Sequence, residues 1–539
     1  MTWDSHLLNF KIKITKSFNL IQFLSTIFLY GCTETLVEKI EEQKYTSTKK
    51  LFLVNFEPGD KETSVKRNSK IILKFNNELN PSTLSVNTGN TMCSGTVQIT
   101  TNNFKTCVIM NPINLVAKNK KIILIPKGVY AANNYHKIRL TKGIKAKNGT
   151  SLKKDFTTTH GFKTTWSQQI GTRGDDTGFA VSVDKEENIY IAGLTSANES
   201  SEQKDLFLAK YLPSSFQQWI KQPGFDQSVM DAVLQTKKTG QINLSAYSKE
   251  QNSSSVIIVS YDVDGKKIFS KTIKLTGISH GKGITMDNEG NVYVNAATPF
   301  DILKIGGQGK RIWGSELNHR LNIRALYADS SNGLYISGNI KKPDENSKTH
   351  AGNEIFLLKI SQMGPILWSK TYRSSNEVIV NSIAIHSDKN VAILGYIQRT
   401  KNVEDVKKET KDAFVAKYNS EGKLQWKHLF NGTNSEQSTF AQWTPEGNLL
   451  VGGFTDSNLE EKSYIGKEDV FLAKFSQDGE LLWLKQFGTE ENERLFGIAL
   501  GKKEQIYLTG FTEGQMDGAK YFGGRDIFLV KYNKDGKKL

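Results

Sequence analysis

A chain of 539 residues exceeds what one ordinary core organises, so two or more domains are expected. Hydrophobic residues make up 37% and aromatics 10%, while a mean hydropathy of −0.43 marks a soluble body and excludes a bundle of membrane helices. Against 55 Asp and Glu stand 71 Lys and Arg, a net +16 carried mostly by lysines spread through loops; with no dense basic block, weak attraction to anionic surfaces is expected and a specific nucleic-acid partner is not.

The chain opens on an address. Lys11, Lys13 and Lys16 precede a run from Phe18 to Tyr30 that is apolar apart from Asn19, Gln22, Ser25 and Thr26. That is the length of a signal peptide and too short to span a bilayer. The run ends Leu29-Tyr30-Gly31-Cys32, which resembles the lipobox of bacterial lipoproteins, with Tyr30 larger than that motif prefers. The resemblance implies a signal peptide over 1–31 and a lipid on Cys32, each buried CH₂ adding about 0.8 kcal/mol of anchoring. Residues 32–50 read as a flexible polar tether.

From 51 to 160, apolar patches of strand length alternate with turns. They are 51–54, 71–75, 97–99, 107–110, 121–125 and 135–140, separated by Pro58-Gly59, Asn80-Pro81 and Asn148-Gly149. The pattern predicts a β-sandwich of about seven short strands. The run Ile72-Leu73-Lys74-Phe75, Asn80-Pro81-Ser82-Thr83-Leu84, Tyr135 to Leu140, Gly143-Ile144 and Phe156-Thr157-Thr158 resembles bacterial Ig-like domains. The resemblance implies a spacer or adhesive unit without catalysis. Cys93 and Cys107 flank a hairpin-like stretch and are expected to form a disulfide contributing roughly 3 kcal/mol.

Residues 165–539 repeat. Trp166, Trp219, Phe269, Trp313, Trp368, Trp426 and Trp483 head seven similar units, each with four short strands joined by turns. Gly-Asn-Val-Tyr-Val at 290–294 and Asp-Ala-Phe-Val-Ala-Lys-Tyr at 412–418 resemble the beta-propeller repeat, or SBBP, family. The fold expectation is therefore all-β: a seven-bladed β-propeller preceded by an Ig-like β-sandwich. The tryptophan strand follows an Asp-Gly-type turn, so it is the outermost strand of its blade; the last unit lacks one and Trp166 to Ile170 should supply it, removing open edges. One aromatic per blade marks blade-to-blade packing.

With strands named A to D from the axis outward, the A–B turns are compact and the B–C loops vary, running 196–204, 341–353, 398–411, 456–468 and 513–525. Long loops on a rigid scaffold carry binding. The candidate face is therefore the B–C and D–A face, with Asp175, Asp176, Lys204, Lys341, Lys411, Lys467 and Arg525. Asp175-Asp176 reads as a solvated loop pair.

Signatures of chemistry are missing. Eight histidines are scattered, with no His-Glu-x-x-His, Cys-x-x-Cys, Gly-x-Ser-x-Gly or phosphate loop, so no metal, cofactor or catalytic residue is expected. Asp262-Val263-Asp264-Gly265 and Asn533-Lys534-Asp535-Gly536 resemble calcium loops without the distal Glu and read as hairpin turns. The expectation is a non-enzymatic binding or adhesion lipoprotein, monomeric, at the outer membrane or cell surface, with the sandwich lifting the propeller from the membrane and contacting an unidentified protein or glycan. An envelope assembly factor similar to quinoprotein-like propellers is the alternative, and a propeller glycosidase or lyase a third.

Overall fold

The computed structural model describes residues 50–196, 204–224, 229–249, 254–275, 283–296, 300–317, 321–329, 333–340, 353–403, 406–460 and 465–539. The expectations for the leader, the tether, Cys32, Lys341 and the loop stretches 197–203, 341–352 and 461–464 lie outside these residues. The described elements are strands and three short 3-10 turns.

The first module holds β1 (Leu53–Glu57), β2 (Ile71–Phe75), β3 (Val97–Thr100), β4 (Asn114–Val116), β5 (Lys121–Leu124), β6 (Tyr135–Leu140), β7 (Phe156–Thr157) and β8 (Phe162–Lys163). Two sheets, β1-β2-β5-β4 and β3-β6-β7 with β8 also on β6, enclose one core. Alternation drives this: Ile71, Leu73 and Phe75 point inward from β2, and Ile138 and Leu140 from β6. Each such side chain contributes about 1.5–3 kcal/mol by leaving water. Cys93 and Cys107 are joined, closing a loop around β3. The patch at 107–110 is not a strand: Val108 N–H donates to Ile99 and Met110 N–H to Asn87, which leaves a single bridge at Met110. The disulfide and these irregular bonds tie that segment down without a ladder.

After β9 (Gln168–Ile170), seven four-stranded antiparallel sheets follow in chain order. The first runs Thr177–Val183, Ile189–Ser196, Lys204–Tyr211 and Gln217–Lys221; the seventh runs Glu493–Leu500, Ile506–Thr512 and Asp526–Tyr532, with β9 as its fourth strand. Each A strand touches the A strand of the next sheet, and the seventh touches the first. Phe528 pairs with Gln169, and Tyr532 with Lys538. Trp166 N–H donates to Leu539 O at 2.8 Å, so the outer strand of the seventh sheet is assembled from both ends of this domain. No edge is left open there.

The repeated aromatics staple neighbours. Indole N–H groups donate to the C–D turn of the following sheet: Trp166 to Pro213 O (2.9 Å), Trp219 to Val263 O (3.2 Å), Trp313 to Gln362 O (2.8 Å), Trp426 to Gln477 O (2.9 Å) and Trp483 to Lys534 O (3.2 Å). Lys210 and Lys417, from C strands, reach the same Val263 and Gln477 oxygens at 2.9 and 2.8 Å. Phe269 has no such donor and only packs, and Trp368 packs on Tyr335. At the Asp262 turn, Oδ1 accepts from the N–H groups of Asp264 (3.0 Å) and Lys266 (2.8 Å), and Asn533 Oδ1 does the same for its own turn, so both side-chain oxygens are occupied as hairpin caps.

The first module is fastened to the seventh sheet at its B–C loop and, through Lys538, at its outer strand. Arg67 N–H donates to Asp517 O (2.9 Å), Asn68 Nδ2 to Gln515 Oε1 (3.0 Å) and Ser64 Oγ to Lys538 O (3.1 Å).

Candidate functional site

The D–A connections of three sheets share one construction. Gly171-Thr172, Asn431-Gly432 and Gly488-Thr489 are followed, four residues after the second member, by Asp176, Glu436 and Glu493. Each of these acids turns back to accept the N–H of that second residue: Thr172 at 2.7 Å, Gly432 at 3.0 Å and Thr489 at 2.6 Å. The C strand of the preceding sheet brings up a second acid: Asp526 and Asp469 as its first residue, and Asp412 midway along the extended strand Val406–Tyr418. Gln169 and Gln486 donate to Asp526 (2.8 Å) and Asp469 (2.9 Å).

The two acids of a junction converge over a glycine. A Cβ on Gly171 would lie 1.9 Å from Asp526 Oδ1 and 3.0 Å from Asp176 Oδ2; on Gly488 it would lie 2.2 Å from Asp469 Oδ1 and 2.5 Å from Glu493 Oε2. All four acids are fully buried, and Asp469 Oδ1 and Asp526 Oδ1 accept no hydrogen bond. Burial lifts Asp176 and Asp526 to about 6 and Glu493 to about 7, and a nearby carboxyl adds to each rise: Asp175 for Asp176, Asp176 for Asp526 and Asp469 for Glu493. Asp469 and Glu436 are raised by burial too. Carboxyls so enclosed hold a proton to higher pH than free ones, and they brace the junction from inside it.

Asp175 and Asp176 therefore part company. Asp176, expected in solvent, is wholly buried because its carboxylate caps Thr172 and Ser196 N–H groups. Asp175 stays outside, 4.0 Å from Lys204 Nζ, and accepts Arg525 N–H at 3.2 Å. The structure brings these four together at the junction of the seventh and first sheets. Lys467 pairs with Glu491 (2.6 Å) one junction away, and Lys411 lies 4.9 Å from the Tyr396 ring one further. Arg525 pairs with Glu513 at 3.0 Å while stacking on Phe511.

The sequence reading missed Arg494, which holds Glu468 through two bonds of 2.6 and 3.0 Å and covers Phe454. Its signal was the recurrence of Gly-Phe-Thr at 453–455 and 510–512, which places an aromatic at the mouth of each of these sheets. Another miss is larger. Residues 398–411, expected as a loop, continue the fifth sheet as a paired hairpin: Val391–Val403 and Val406–Tyr418 stay in register to Val403 opposite Val406. Among the described residues no three His, Cys, Asp or Glu are grouped to hold a metal ion, and no helix is long and apolar enough to cross a membrane.

Against this geometry, residues 47–164 match the bacterial Ig-like domain and residues 165–199 the beta-propeller repeat. The chain joins a bacterial Ig-like domain to a beta-propeller repeat. The propeller-repeat match falls on the segment that spans β9 and the first two strands of the first sheet. The regulatory protein FlaEY of Caulobacter vibrioides is 24% identical over 222 residues, 37% of this chain and 23% of its own length. An uncharacterized WD repeat-containing protein of Acanthamoeba polyphaga mimivirus is 22% identical over 312 residues, 54% of this chain and 19% of its own. This chain thus spans less than a quarter of either relative. Among solved structures, a streptogramin B lyase aligns with a TM-score of 0.40 and 13% identity, over 68% of this chain and 97% of that one. A virginiamycin B lyase from Staphylococcus aureus gives 0.39 and 12%, over 67% and 98%. Likenesses at that level carry no activity to this chain.

Proposed function

We propose that the protein is a non-enzymatic lipoprotein of the cell envelope, at the outer membrane or cell surface, whose seven sheets form a closed seven-bladed propeller that contacts a protein or glycan partner through its B–C and D–A face. The circular succession of A-strand contacts and the outer strand shared by Trp166 and Leu539 support the closed ring. One observation carries the choice of face: the hairpin of the fifth sheet extends the ladder on the B–C side, whereas the described C–D turns on the opposite side are tight. A paired arm on a rigid sheet presents side chains at little ordering cost. The perturbed acids sit inside the junctions, which supports bracing over acid–base catalysis. Cys32 supplies the lipid in this reading, and the Ig-like domain holds the last blade.

The test replaces 398–411 by a two-residue Asn-Gly turn and compares parent and variant on glycan and protein arrays. Array signals should vanish in the variant while its unfolding midpoint stays within a few degrees. Signals that survive the shortening overturn the assignment of the face. Mass spectrometry of the mature protein should find diacylglycerol on Cys32.

A further inference from the structure

The positive charge of this chain is not shared between its domains. Between residues 51 and 164 the sequence has 18 Lys and Arg against 5 Asp and Glu, a net +13; between 165 and 539 it has 46 against 45, a net +1. Nearly the whole +16 therefore rides on the Ig-like domain, a concentration that the lysine spacing along the chain hides. We infer that the Ig-like domain is a docking surface for an acidic polysaccharide, a role that rests on the envelope location proposed above.

Position decides the kind of partner. On the sheet of β3, β6, β7 and β8, alternation sends His136, Ile138 and Leu140 inward and leaves Tyr135, Lys137 and Arg139 on the outer side. Lys163 pairs with Tyr135 across β8 and lies 5.7 Å from its ring. Lys142 and Lys154 stand exposed at the end of that sheet. On the other sheet, Lys74 sits directly opposite Lys121, a like-charge pair that costs stability in a folded domain. Within the domain the described lysine ion pair is Lys147 with Glu78 at 3.7 Å, highly exposed. Cations thus cover both outer faces, so a flat bilayer would meet only part of them, whereas a flexible polyanion can follow both.

The cation type narrows it further. Of the 18 basic residues 16 are lysines, and the two arginines are engaged: Arg67 Nε donates to Tyr130 O at 2.8 Å and Arg139 stacks on Phe104. Lysine is a point charge, whereas planar bidentate reading of phosphate relies on arginine. Tyr135 is the exposed large aromatic of the domain, one surface for stacking where single-stranded nucleic acid uses several. Charge density, with little geometric selection, is what these residues offer, and carboxylated or sulfated sugar chains supply its complement.

The experiment measures binding of the purified full chain to polygalacturonate between 50 and 200 mM salt, with phosphatidylglycerol vesicles and duplex DNA compared at equal charge concentration. Polygalacturonate should bind tightest, with log affinity falling linearly in log salt as counterions are released. The combined K137Q, K142Q, K154Q and K163Q variant should bind roughly tenfold more weakly at 50 mM salt with a shallower salt slope. The matching Lys→Arg set should bind as the parent does, which separates charge from folding. A control on the propeller's exposed outer strands (K271Q, K274Q, K370Q and K427Q) should stay within about twofold of the parent. No binding at 50 mM salt, an equal loss in the control, or tighter binding to vesicles or DNA overturns the inference. Since the free chain is assayed, these outcomes do not depend on the propeller face, and the hairpin-shortened variant tests that reading on its own.

Discussion

The junctions between the fifth and sixth, sixth and seventh, and seventh and first sheets are built differently from those between the first and second and between the fourth and fifth. In the first group a carboxyl stands at the head of the A strand: Glu436 opposite Thr455, Glu493 opposite Thr512, and Asp176 beside Ser196. At the same register position the second sheet has Val229 opposite Ser248 and the fifth has Val378 opposite Ile397, both buried. One architecture thus admits two cements. Buried acids fix a junction through directional bonds at the expense of desolvation, and branched aliphatics fill it without any polar demand. The acid junctions also carry the ion pairs of the candidate face, Asp175–Lys204, Glu468–Arg494 and Glu513–Arg525, so order in the junction is passed to the surface above it.

The comparison breaks most readily at the shared outer strand. Trp166 is fully buried and joins the two ends of the domain, whereas Trp219 is half-buried within a continuous strand. Trp166→Ala should cost about 3–5 kcal/mol in urea unfolding and Trp219→Ala less; equal losses would show that the ends need no joining. Gly488→Ala comes next. With a Cβ 2.2 Å from Asp469 Oδ1 it should cost about 2–3 kcal/mol, and Gly128→Ala, with open space around it, close to nothing.

Titration sharpens the difference between the two cements. A carboxyl whose folded pKa is raised holds its proton better in the folded state, so its contribution is complete below the unfolded value near 4 and is lost as pH rises through the folded value. For Asp176, Asp526 and Glu493 the loss should fall between about pH 4 and 7. Glu493→Gln, which keeps the shape and removes the titration, should be more stable relative to the parent at pH 8 than at pH 5, by on the order of 2 kcal/mol. Val378→Ala should instead give a loss independent of pH. Smallest of all, Lys467→Gln should leave the urea midpoint unchanged, since both it and its partner Glu491 are well exposed.

Much of the fold was legible in the sequence, for a definite reason. The tryptophan period and the Asp-Gly turns mark the repeating unit, and the strand that follows Trp166 pairs with Ile527–Leu529 as outer strand of the seventh sheet, in the register the repeats imply. The candidate site was legible only in outline. Asp176 was read as solvated and is buried, since its cover includes the C strand of a sheet some 350 residues away in sequence. The 398–411 hairpin was hidden because its charged residues look like a loop when read without a partner strand. The strand foreseen at 107–110 failed for the converse reason: an apolar patch needs a neighbouring ladder, and the disulfide segment offers none.

By itself the sequence determined the all-β class, the repetition of similar units, the Cys93–Cys107 pairing partners and the sign of the net charge, because period, turn chemistry and composition are local properties. Only the tertiary structure decided which acids are shut in, which cations are already paired and where the Ig-like domain rests on the last sheet. Those depend on burial and on contacts between residues hundreds of positions apart, and neither is a property of any window of the chain.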